Sequence, residues 1–382
     1  MKRALLIFLV VFFLFGAILA IAWFVPMPLD PFHDFQVLYR ANQGILRGIP
    51  LYDRAAQEQM VAADLGVPVD RVFVLPFPYP PWFALTTLPL ALLPAEVAVR
   101  VWFLLNATML LASVWLVTDG WHPRLRLISF VVAPLFFPIL GALIVGQYVF
   151  PTILGMAMLA YALRHKTLWM IALGMALVTF KPHVGMLAAL AVTVRLLLRR
   201  DEFGRRAFFY TAITGAILFA LGFLADNNWV VNYPKSLFAF KGVSECNLCV
   251  SLPLTISNLA GFGFDQAFVI SLALLIGFTF VWIKNFFRMD GGLLVALCTC
   301  MALLVNPYLQ NYDFAFAIIP LFVLAEIAHI RTDWIVIAFV FLLPWFGLLL
   351  FDRGGNITLL ISTILMTVLL LTNIHNEHTI VS

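Results

Sequence analysis

"MKRALLIFLVVFFLFGAILAIAWF", residues 1–24, has a basic start and then an apolar run that continues to Phe24. A cleaved secretory signal has the same order, but its apolar region is about 7–15 residues long. This run is longer, and about 20 apolar residues cross a hydrocarbon core roughly 30 Å thick. The stretch predicts a retained first span over 4–25, with Met1–Arg3 on the cytoplasmic side.

Similar runs recur along the whole chain. Of its 382 residues, 63% are hydrophobic and 11% are charged, against about a quarter charged in soluble domains. The alternation of a membrane β-barrel is missing. These features predict an all-α polytopic membrane protein. Candidate spans are 4–25, 82–94, 97–117, 127–145, 149–163, 168–180, 183–198, 207–225, 268–284, 292–305, 314–330, 334–351 and 357–372. No soluble domain, low-complexity tract or internal repeat stands out. The chain reads as one integral-membrane domain, 1–382. Within it are an outer loop at 26–81, a helical module at 82–225, a second outer loop at 226–267 and C-terminal spans at 268–382.

Lys and Arg set the orientation. "RLLLRRDEFGRR", 195–206, is the strongest basic group and is expected on the cytoplasmic side, with "IKNFFR", 283–288, and "HIR", 329–331. Loops 26–81 and 226–267 then face outward. Six candidate segments lie between loop 26–81 and residue 195, where an odd number of crossings is needed. One short segment, 82–94 or 168–180, is therefore expected to be broken or re-entrant. That leaves about twelve spans with both termini inside. Non-helical backbone at membrane depth lines a cavity or is buried in protein. The net charge of +4 is scattered in short groups, with no basic face for nucleic acid.

The first outer loop carries "PLDPFHDFQVLYRANQGILRGIPLYD", 28–53. Phe35, Leu38, Tyr39, Ile45 and Leu46 fall at helical spacing, with Gln36, Arg40, Gln43 and Arg47 largely opposite and Gly48 as a stop. This pattern predicts a helix over 35–47 lying in the interface. A second helix is expected over about 53–65, from Asp53 to Gly66. Asp34 heads the first helix. It can be an N-cap, worth about 0.5–2 kcal/mol, or a reactive carboxylate at the mouth of a cavity.

Other polar residues interrupt apolar stretches. In "TFKPHVG", Lys181 and His183 sit near membrane depth, where an ionisable group usually faces a cavity or a partner. A loop lysine snorkelling to the interface is the plainer reading. "NPYLQNYD", 306–313, offers Tyr308, Asn311, Tyr312 and Asp313 at an outer turn, or simply a turn in which Asp313 caps the next helix. "VGQYVFP", 145–151, places Gln147 between two spans, where it can bond across the bundle or merely pack. Cys298 and Cys300 lie in an apolar segment and are expected to pack. Cys246 and Cys249 form a CxxC without further zinc ligands in their loop, and a local disulfide is open to them outside the cytosol. P-loop, HExxH, GxSxG and DxD motifs are all missing, and no carboxylate cluster suggests a metal.

Taken in order, "HDFQVLYRANQGILRGIPLYD", "YPPWFALTTLPLALLP", "GQYVFPTIL", "FKPHVGML" and "NPYLQNYD" resemble the polyprenyl-phosphate-mannose-dependent mannosyltransferases, glycosyltransferase family 87 of the GT-C superfamily. The resemblance spans most of 30–200 and returns near 306–325. It implies a multi-pass enzyme of the plasma or inner membrane with an extracytoplasmic active site. The donor would be a polyprenyl-phosphate-linked sugar, and the acceptor a lipid or glycan. No cofactor, metal or nucleic-acid partner is implied. The acidic residue in the first outer loop that matches the family's base is Asp34. Some members of the superfamily carry a second acid there, for which Asp30 and Asp53 are available, and Asp53 reads better as a helix cap. Lys181, Arg40 and His183 are the candidate donor-phosphate contacts, as cations able to stabilise the leaving phosphate. Tyr39, Tyr79, Gln147, Tyr312 and Asp313 are the candidate sugar or acceptor contacts. The alternative from another class is a transporter or flippase for a lipid-linked or small anionic solute. Transporters often carry repeated halves, and none is seen here.

Overall fold

The computed structural model describes residues 16–24, 34–243, 250–283, 286, 289–328, 330–347 and 354–380. Residues 4–15 of the first expected span, Asp30 and the Cys246–Cys249 pair lie outside the described residues. The described chain is helical, with no strand among the described residues. In order the helices are α1 (16–24), α2 (Asp34–Leu46), α3 (Arg54–Leu65), α4 (Pro81–Thr87), α5 (Ala95–Val117), α6 (Pro123–Val132), α7 (Phe137–Ile144), α8 (Val149–His165) and α9 (Leu168–Val178). They continue with α10 (Pro182–Leu198), α11 (Glu202–Ala225), α12 (Trp229–Val243), α13 (Leu252–Leu259), α14 (Phe264–Trp282), α15 (Gly291–Val305), α16 (Ile318–Ile327), α17 (Arg331–Phe346) and α18 (Gly354–Ile380).

Among the described residues, α5 and α11 are each long and apolar enough to cross a membrane alone. A third crossing arises if Pro123–Leu135 and Phe137–Ile144 count as one span, bent by 57°. This bend falls inside the expected span 127–145, a break not anticipated there. Its cause is local: Pro134 and Pro138 flank it, and each proline removes a donor and disfavours helix at the residue before it. The two segments suspected of being broken are also short. Residues 81–92 pass from α4 into a 3-10 turn, Leu88–Leu92, and α9 has 11 residues. Several other apolar helices are 10–17 residues long. α11 leaves Phe209, Ile217, Phe219 and Leu224 at least half exposed, as suits a surface solvated by lipid.

The chain divides into two compact units. The first comprises Met1–Thr108, Leu143–Tyr148 and Ala212–Glu245. In it, α2 buries Phe35, Leu38, Tyr39 and Ala41 against α4 and the Leu88–Leu92 turn. Two polar anchors fix its position. The Tyr39 hydroxyl donates to the Leu93 carbonyl at 2.7 Å, and the Asn42 amide donates to Thr87 Oγ1 at 3.0 Å. α3 begins and ends as its residues dictate. Asp53 accepts the Ala56 N–H at 3.1 Å, and Gly66, at φ +66°, turns the chain in the left-handed region while its N–H bonds the last carbonyls.

The second unit comprises Met109–Ala142, Val149–Thr211 and Cys246–Ser382. Its axis is α15, buried at every position and packed on α8, α10, α14, α16 and α18. A helix apolar on all sides belongs in a protein core or a bilayer, and α15 is enclosed by protein. Cys298 and Cys300 lie on it as free, fully buried thiols. Around it the backbones approach closely. A Cβ on Gly155 would come within 2.8 Å of the Val178 N–H nitrogen, and one on Gly185 would overlap the Val178 carbonyl. The turn from α9 into α10, which carries Lys181, is thus packed without slack.

Candidate functional site

Asp34 is the first residue of α2 and belongs to the first unit. Its Oδ2 accepts a 2.5 Å hydrogen bond from the Gln147 side-chain amide. The Gln147 carbonyl oxygen is engaged in turn by the Tyr148 N–H at 3.2 Å, so the amide presents its NH₂ to the carboxylate. The Tyr148 hydroxyl donates to the Asp34 main-chain oxygen and accepts the Leu38 N–H. One side chain of the 146–148 turn therefore holds the carboxylate, and the next holds the backbone behind it.

The turn is itself clamped. Gly146 has φ +66°, a conformation glycine adopts without a Cβ penalty. Trp102 Nε1 donates to the Gly146 main-chain oxygen at 2.8 Å, and the Asn106 amide donates to the Gln147 main-chain oxygen at 3.1 Å. Trp102 and Asn106 are four residues apart on α5 and so share a face. Beneath the turn lie the rings of Tyr79, Phe83, Trp102 and Tyr148. Tyr79 meets Tyr148 edge-on at 4.8 Å and Phe83 does so at 5.3 Å, the geometry aromatic pairs prefer. Sequence reasoning singled out Gln147 and Tyr79 but missed Tyr148, Trp102 and Asn106. The adjacent Gly-Gln-Tyr was the one available signal for Tyr148.

The remaining first-unit candidates stand differently. Tyr39 is buried with its hydroxyl bonded to Leu93. Arg40 follows Asp34 by six positions, which places it roughly 120° around the helix and about 9 Å along it. It is half-buried, and burial draws its guanidinium below its ordinary value.

In the second unit, Lys181 and Asp313 form an ion pair at 2.5 Å, and both side chains are only 2% exposed. The Lys181 ammonium also lies 4.9 Å over the Tyr312 ring, a cation–π arrangement. His183 Nε2 is 3.8 Å from the same carboxylate but 34% exposed, so it forms the open side of the cluster. Its carbonyl accepts from the Asn306 amide at 2.8 Å. Asp313 also accepts the Gln310 N–H at 2.8 Å in a capping box, the capping role its turn predicts. Burial alone would raise the Asp313 carboxyl. The Lys181 ammonium, and His183 after it, outweigh burial and hold it below the ordinary carboxylate range. The structure thus joins four of the candidates, Lys181, His183, Tyr312 and Asp313, in one cluster, and two, Asp34 and Gln147, in another.

No group of three or more His, Cys, Asp or Glu that could hold a metal occurs among the described residues. Chemically, the first cluster is a carboxylate fixed by an oriented amide. The second is a sealed lysine–aspartate pair edged by an accessible imidazole.

A comparison with curated proteins gives no match. The profile of glycosyltransferase family 87 matches residues 77–307, more than half of the chain and inclusive of Tyr79, Gln147, Tyr148, Lys181 and His183. The chain belongs to glycosyltransferase family 87.

Proposed function

We propose that the protein transfers a sugar, mannose in the first instance, from a polyprenyl-phosphate donor to an extracytoplasmic lipid or glycan acceptor, with inversion, and that Asp34 is the general base. About twelve spans, both termini in the cytoplasm, and a site at the outer face of the plasma or inner membrane complete the reading. Family membership favours an enzyme over a transporter. The observation that carries the mechanism is the 2.5 Å amide-to-carboxylate bond from Gln147 to Asp34, on a turn clamped by α5. A base must be rigidly placed to act, and the bond from Gln147 supports that role by holding the Asp34 carboxylate.

The acceptor hydroxyl attacks the anomeric carbon from the face opposite the phosphate. Its proton passes to Asp34, the bond from the anomeric carbon to the phosphate oxygen breaks, and polyprenyl phosphate departs with that electron pair. A positioned base contributes about 10²–10⁴-fold. The sugar passes through an oxocarbenium-like state, as in glycoside cleavage. The leaving phosphate gains negative charge, which calls for electrostatic stabilisation more than protonation. Arg40, Lys181 and His183 are the cations proposed for that work. Because Asp313 neutralises Lys181, His183 is the member of its cluster best exposed to meet an anion. Tyr39, Tyr79, Gln147, Tyr312 and Asp313 then act by shaping and orienting the surroundings.

The test is Asp34→Asn in proteoliposomes supplied with polyprenyl-phosphate-mannose and acceptor lipid. Asn keeps an oxygen for the Gln147 amide, so the fold and donor binding are expected to persist while transfer falls by about 10²–10⁴-fold. Full transfer by this variant would refute the base assignment.

A further inference from the structure

A second feature of the first unit lies outside the residues assigned above. A cavity of about 500 Å³ opens between the segments 50–57 and 75–77 and the stretch 226–239, which leads into α12. Small-molecule sites usually enclose roughly 300–1,000 Å³.

The walls are tied together by specific bonds. Leu51 N–H donates to the Ala225 carbonyl at 3.1 Å, and the Ser236 hydroxyl donates to the Phe77 carbonyl at 2.8 Å. Asp226 is only 4% exposed and organises the far wall. Its carboxylate accepts the Asn228 N–H at 2.8 Å and the Asn232 amide at 3.1 Å. The floor is aromatic: Tyr52 packs on Phe77 at 6.4 Å, and its hydroxyl is committed to the Tyr79 carbonyl at 2.7 Å. The charges of the lining cancel, with Asp53 and Asp226 balanced in number by Arg54 and Lys235. Against this fixed frame, the side chains of Asn227, Asn228 and Lys235 are exposed and make no hydrogen bond or ion pair among the described residues. An aromatic floor, amide and ammonium groups at the rim and no net charge among the lining residues suit a neutral polyol ring. An anionic headgroup would require an excess of cations.

We infer that this cavity is a saccharide site that takes a neutral sugar unit of the acceptor, its ring on Tyr52 and Phe77 and its hydroxyls on Asn227, Asn228 and Lys235. The assignment to the acceptor rests on the transferase reading above; the affinity for a neutral sugar does not. The rigid tie between the two outer segments implies a site formed before the ligand arrives.

The experiment is saturation-transfer NMR on the full chain in nanodiscs. The probes are methyl α-mannoside, methyl α-glucoside and methyl α-galactoside, with glycerol 3-phosphate as the anionic comparator. At least one glycoside is expected to bind in preference to glycerol 3-phosphate. Asn228→Ala and Lys235→Ala, both at exposed positions, are each expected to weaken it about tenfold, equivalent to about 1.4 kcal/mol. Binding is expected to survive in Asp34→Asn. Absence of glycoside binding in the unmodified protein, preference for glycerol 3-phosphate, or equal binding by both rim variants would each overturn the inference. If glycosides bind as expected while Asp34→Asn still transfers sugar, the base assignment fails and the saccharide site stands. If Asp34→Asn is inactive and no glycoside binds, the reverse holds.

Discussion

Replacing Lys181 by methionine keeps the length of the side chain and removes its charge. Asp313 would then be a carboxylate with 2% of its side chain exposed and its 2.5 Å partner gone. Breaking a buried pair from one side costs about 3–5 kcal/mol, because the remaining charge is desolvated without compensation. That is a factor of roughly 10²–10⁴ in the folded-to-unfolded ratio. A unit of this size shifts by roughly 2–4 °C per kcal/mol, so a fall in melting temperature of about 10 °C is expected. The double variant Lys181→Met/Asp313→Asn isolates the cause. Its asparagine can still accept the Gln310 N–H of the capping box, no buried charge remains, and most of the loss is expected to return. The assay is intrinsic-fluorescence melting in detergent and in nanodiscs, followed by transfer activity on whatever folds. A double variant that melts like the unmodified protein but transfers no sugar assigns Lys181 to the donor phosphate; one that does both assigns it to structure. If Lys181→Met alone melts like the unmodified protein, the desolvation reasoning is wrong.

Three further outcomes follow from the same geometry. Gln147→Ala frees the Asp34 carboxylate; a misplacement of 1 Å costs about 10²-fold, so kcat is expected to fall by that order with the donor KM unchanged, and a fall confined to KM would contradict the positioning role. The Asp313 carboxyl is held below its unfolded value of about 3.9, so its contribution to stability is complete above that pH and is lost as the medium becomes more acidic. An acid melting series should therefore show a steeper loss in the unmodified protein than in the Lys181→Met/Asp313→Asn pair, and matching slopes would count against it. Gly185→Ala drives a methyl into the Val178 carbonyl, whereas Gly141→Ala meets nothing within 4 Å; the first is expected to cut folded yield in detergent extracts and the second to leave it unchanged, and equal yields would refute the packing account.

What could be read in advance was local. α3 is bounded by Asp53 and Gly66, and α2 ends before Gly48, because capping and left-handed turns are dictated by single residues. Apolar runs announced helices, of which α5 and α11 are long and apolar enough to cross a membrane alone among the described residues. The bend at Phe136 is equally local, since Pro134 and Pro138 flank it. The clusters were not legible. Asp34 meets Gln147 across 113 positions, and Lys181 meets Asp313 only once α15 brings α8 and α10 together. Each residue looked solitary in the sequence, and nothing in it identified Asp313 as the partner of Lys181. Tyr148 was invisible as a positioning group because its hydroxyl acts on a backbone oxygen, which no side-chain pattern reports.

The separation of that pair along the chain has a consequence for biosynthesis. Asp313 follows Lys181 by 132 positions. At about 5–20 residues per second, the ribosome takes roughly 7–26 s to bring the aspartate into existence after the lysine has been made. For that interval the nascent α9–α10 hairpin carries an uncompensated ammonium between two greasy segments. The buried ion pair beside the α9–α10 turn can form only after the chain has been extended past α15.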